Sequence, residues 1–81
     1  MPTAQTLAMI KRRFAGRDSA IERAFEASES FRGLCRDYCA CVAALTRWQE
    51  LASEEAPRRV TEYSELLAEL ANEIEARLNA E

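Results

Sequence analysis

Apolar residues recur along this chain at helical spacing. The clearest run is Phe31, Leu34, Tyr38, Cys41, Leu45, Trp48 and Ala52, which steps by alternate threes and fours and makes a heptad seam over three repeats. A second seam, Val60, Tyr63, Leu67, Leu70 and Ile74, has the same period and is widened by Leu66, Ala71 and Leu78. Between them stands Pro57, which disfavours helical geometry at the preceding residue and lacks an amide proton. Two matched seams separated by a short break must fold back on each other, so the pattern predicts an antiparallel helical hairpin. Arms of about 22 residues would each be about 33 Å long.

The chain ahead of the hairpin predicts shorter pieces. Thr3 or Thr6 can cap a helix over 3–15 with Leu7, Ile10 and Phe14 on one face, and Gly16 suits its end because glycine accepts a left-handed backbone. Ser19 and Glu22 fit the S-x-x-E capping box, which starts a helix over 19–52 with Ile21 and Phe25 inward. At Ser28-Glu29-Ser30 the pattern falters, as a kink or as a break that Ser28 or Ser30 could cap. Ser53, ahead of Glu54 and Glu55, offers a cap for a last helix over 54–79.

All 81 residues form one domain, and a chain this short buries only roughly 60–65% of its unfolded surface. Two helices leave one flank of such seams wet. Phe14, Ile21 and Phe25 could cover it in a three-helix monomer, or a second hairpin could cover it in a dimer. Leu51, Leu66 and Leu78 just off the seams exceed what a short N-terminal helix covers. The expectation is therefore an all-α hairpin with a short N-terminal helical segment, homodimerising into a four-helix bundle of coiled-coil type. Trp48 and Tyr63 should meet across the hairpin near its turn, with Arg47 and Arg58 beside them, which makes that end a candidate interaction surface.

Composition sharpens this picture. Two glycines and two prolines leave few turns and favour long helices over sheet. A net charge of −3 lacks the positive field of a nucleic-acid binder. Lys11, Arg12, Arg13 and Arg17 are the basic exception; the first three suit the macrodipole at a helix end, and a basic arm for nucleic acid or an acidic partner is the weaker reading. Arginine over lysine, with abundant alanine and glutamate, fits a GC-rich bacterial genome. The longest apolar run, YCACVAAL, falls well short of the roughly 20 residues that span a bilayer, and no basic region precedes an apolar one at the N-terminus. The expected location is the cytoplasm, with no membrane or nucleic-acid partner and with free thiols.

All three cysteines fall within 35–41. At 100° per residue Cys35 and Cys39 lie about 40° apart, while Cys41 lies about 160° from Cys39. Three sulfurs on an intact helix therefore cannot converge on one ion. Cys41 belongs to the seam as a small buried hydrophobe. Cys35 and Cys39 form the weak metal candidate: a structural zinc wants four ligands and the chain has no histidine, so two copies would have to pool their thiolates. Cys39 falls on the outward side of the seam. Arg32 and Arg36 stand near enough to favour a thiolate, so a thiol-based metal or redox sensor is the alternative function. Small intermembrane-space chaperones carry C-x3-C on both arms of a hairpin, whereas the arm from Pro57 onward has no cysteine.

No catalytic kit is visible: no histidine, no glycine-rich phosphate loop, no H-E-x-x-H. Glu62, Glu65, Glu69 and Glu73 lie off the seam as a solvated face. The reading is a protein–protein interaction or assembly module, without catalytic activity and without a cofactor.

Overall fold

The computed structural model describes residues 3–80, and among them are four helices and no strand. They are α1 (Thr3–Arg13), α2 (Asp18–Ala27), α3 (Glu29–Glu50) and α4 (Ala56–Asn79). α3 and α4 form the expected hairpin. Its antiparallel register follows from three contacts: Arg59 lies over the Trp48 ring, the Cys41 thiol donates to the Tyr63 carbonyl at 3.4 Å, and Arg77 reaches Ser28 and Ser30.

Ser28 resolves the faltering stretch as a break. Its backbone is extended and its Oγ accepts the Phe31 amide at 3.1 Å, capping α3. Arg77 donates to the same oxygen at 3.0 Å and to Ser30 Oγ at 3.1 Å, so the last turn of α4 clamps the first turn of α3. Arg32 donates to the carbonyls of Phe25 and Glu26 and satisfies the open end of α2. Every backbone group freed by the break that Arg32 and Ser28 meet is one fewer buried orphan.

Other caps differ from expectation. Ser19 and Glu22 form no capping box: α2 begins at Asp18 without a side-chain cap, and Glu22 pairs with Lys11 of α1. Thr6 lies inside α1, 1% exposed, so it packs against the core instead of capping. α3 stops at Glu50, so Ala52 lies beyond the helix and outside the seam. Ser53 Oγ accepts the Glu55 amide at 3.2 Å, turning the chain into α4 two residues later than expected. Pro57 sits in the first turn of α4, where its missing N–H would have had no partner. Gly16 has φ +86° and makes the turn between α1 and α2 that residues with a Cβ resist.

The core gathers Ile10 from α1 and Phe14 from the turn just after it, Ile21, Ala24 and Phe25 from α2, the first half of α3, and Ala71, Ile74 and Leu78 from α4. Two short helices thus cover one half of the hairpin, the half away from its turn. Leu78 is 2% exposed there, while Leu51 and Leu66 remain 51% and 42% exposed.

Candidate interaction surface

The covered half holds Cys35 and Cys39, while Cys41 lies in the hairpin seam beside the open groove. Cys35, Cys39 and Cys41 are all buried and unpaired. Cys39 is 1% exposed, which corrects the outward placement drawn from the seam. A two-helix seam has one buried arc, and α1 and α2 add a second arc on the side of α3 that carries Cys39. Burial pushes the Cys35 thiol up to about 12, with Cys39 adding to the effect and Arg36 and Arg77 opposing it weakly. Burial also raises Cys39 and Cys41. Arg32 is committed to the end of α2. The electrostatics therefore favour thiols over the thiolates that metal binding or redox chemistry needs. Among the described residues no group of three or more His, Cys, Asp or Glu side chains is placed to hold a metal ion.

The basic segment is partly used within the chain. Lys11 pairs with Glu22, Arg13 lies 5.0 Å from the Phe14 ring centre, and Arg17 donates to Asn79 Oδ1 at 3.0 Å.

At the turn end, Trp48 and Tyr63 are half-buried and line one cavity of about 260 Å³ with Ala44, Arg47 and Leu51. The residue that engages Trp48 is Arg59, whose guanidinium lies 5.8 Å from the ring centre; Arg58 is exposed. Arg59 is held by Glu62 at 3.1 Å and Glu55 at 3.7 Å. The spacing of Arg59 four residues from both Glu55 and Tyr63 was the available sign that it shares their face. Beside this cavity an open groove of about 440 Å³ runs along the hairpin, lined by Asp37, Ala40, Cys41, Ala44, Tyr63, Leu66 and Leu70. A third hollow, of about 610 Å³, lies at the turn between Trp48, Leu51, Pro57 and Val60.

The three hollows share walls: Ala44 and Tyr63 belong to the first two, Trp48 and Leu51 to the cavity and the turn. Together they make a continuous apolar tract on the half of the hairpin that α1 and α2 leave open. Asp37, Arg47, Gln49, Ser53 and Glu54 stand among its apolar members. No protein-family model, no curated protein and no solved structure matches the chain. No helix among the described residues is long and apolar enough to cross a membrane.

Proposed function

We propose that this chain is a cytoplasmic interaction or assembly module, without catalytic activity, whose first partner is a second copy of itself. The supporting observation is the uneven covering of the hairpin: large apolar side chains stay exposed along its open half, at Leu51 and Leu66, beside half-buried Leu45, Trp48, Val60 and Tyr63. Fully burying a leucine stabilises by roughly 1.5–3 kcal/mol, so a second hairpin laid on this tract gains from each side chain that the monomer leaves wet. A four-helix bundle built from two α3–α4 pairs is the assembly this favours. The unpaired thiols suit a reducing compartment.

Sedimentation equilibrium between about 1 and 100 μM, with melting followed over the same dilution series, tests the reading, because assembly makes Tm depend on concentration. A dimer with a rising Tm is expected. A monomer throughout, melting independently of dilution, would overturn it.

A further inference from the structure

The outward stripe of α3 has a charge pattern that complements its own reverse. Gly33, Asp37, Ala40, Ala44 and Arg47, prolonged by Leu51 at the C-cap, step by threes and fours and fall within an arc of about 80°. The stripe lies about 80–160° around the helix from Cys39, with Asp37 the farthest and Arg47 the nearest, so its middle is turned away from the side that α1 and α2 cover. Turned end for end about position 42, the stripe exchanges Asp37 with Arg47, Ala40 with Ala44, and Gly33 with Leu51. Asp37 and Arg47 are both exposed, and neither belongs to an ion pair among the described residues. Asp37, Ala40 and Ala44 form one wall of the groove whose other wall is Tyr63, Leu66 and Leu70.

We propose that α3 of a second copy of this chain lies antiparallel along this groove, with Asp37 of each copy facing Arg47 of the other. This rests on the assembly reading above and adds its register and its orientation. A two-fold axis near position 42 forms each charge pair twice, as an isologous interface requires. The centre holds two alanines from each copy, small enough for the helices to approach closely. Leu51 of each copy ends over Gly33 of the other. There only Arg36 Nη2, at 3.8 Å, comes within 4 Å of where a Cβ would stand. Threes and fours paired in this sense are the alternating layers of an antiparallel coiled coil. A parallel pairing would instead set Asp37 against Asp37 and Arg47 against Arg47, which like-charge repulsion disfavours.

Reversing the charges tests the register. Asp37→Arg and Arg47→Asp each place like charges together twice in a homodimer, and each should weaken self-association by about tenfold or more. Mixed in equal amounts, the two variants regain both opposite-charge pairs, so heterodimers should exceed the statistical share. The double variant D37R/R47D should recover association close to that of the native chain. Both positions are exposed, and unchanged helicity by circular dichroism confirms that each variant folds. Singles that associate like the native chain, a statistical mixture, or a folded double variant that fails to recover would each overturn this register while leaving the assembly reading standing. A native chain that stays monomeric, or that associates only with a different protein, would overturn both.

Discussion

Cys35 shows how one buried side chain sets a pH dependence. Its thiol is held protonated up to about 12 in the folded chain against an ordinary 9.0, chiefly because burial disfavours the thiolate. Below the ordinary value both folded and unfolded chains keep the proton, and stability is unaffected. Above it the unfolded chain ionises first, so stability falls as pH rises toward the folded value, by up to about 1.4 kcal/mol per pH unit for one thiol. Cys39 and Cys41 shift in the same direction. Urea denaturation of the native chain should therefore weaken more steeply above pH 9 than that of a Cys35→Ala variant, measured side by side. Equal slopes would mean that the thiol is hydrated in the fold. Thr6 makes the opposite kind of prediction. It is 1% exposed, and its Oγ1 has no hydrogen-bond partner among the described residues. Thr6→Val keeps the shape and removes the desolvated hydroxyl, and should raise stability by about 1 kcal/mol; a loss of stability would show that the hydroxyl is satisfied.

Among the elements, the break at Ser28 marks the limit of what local pattern can reveal. The heptad spacing of Phe31 to Trp48 and of Val60 to Ile74 made the hairpin legible, because periodicity is a local property that survives into the fold. The choice between a kink and a break was not local: it depends on Arg77, which lies 49 residues from Ser28 in the chain, and on Arg32, which turns back to close α2. The capping box at Ser19 failed for the same reason, since Glu22 has Lys11 from another helix as partner. Cys39 was misplaced because a seam drawn for two helices has no place for the second layer that α1 and α2 supply. At the candidate site Trp48 and Tyr63 were read from seam position and Arg47 and Arg58 as the charges flanking them, whereas the contact of Arg59 with Trp48 emerged only once the ring was in place beneath it. Ser28 and Ser30 separate by experiment. Ser28→Ala removes the cap and one of Arg77's acceptors and should cost about 1–2 kcal/mol. Ser30→Ala, at an exposed position, should cost less than about 0.5 kcal/mol. Equal losses in urea titrations of the two would place the cap elsewhere.

For the whole molecule, covering divides the 43 Å length into two halves with different work to do. The half under α1 and α2 holds Phe31, Ile74 and Leu78, each 2% exposed or less, and carries the stability of the monomer. The half beyond it carries Leu51 and Leu66, with roughly half of each side chain still in water. Substitutions should therefore separate folding from assembly. Phe31→Ala opens a cavity in the covered half and should destabilise by about 3–5 kcal/mol, enough to unfold a domain of this size at ordinary temperature. Leu66→Ser removes a side chain whose apolar surface the monomer only half uses, so it should leave helicity and low-concentration melting nearly unchanged. In the proposed dimer the same change places a hydroxyl where a leucine would be buried, and self-association should weaken by about tenfold or more. The test is the dependence of Tm on protein concentration: Leu66→Ser should flatten it while keeping the dilute Tm within a few degrees of the native chain. A variant whose dilute Tm collapses would assign Leu66 to the monomer's core, and one that keeps the native concentration dependence would move the assembly surface away from the open half of the hairpin.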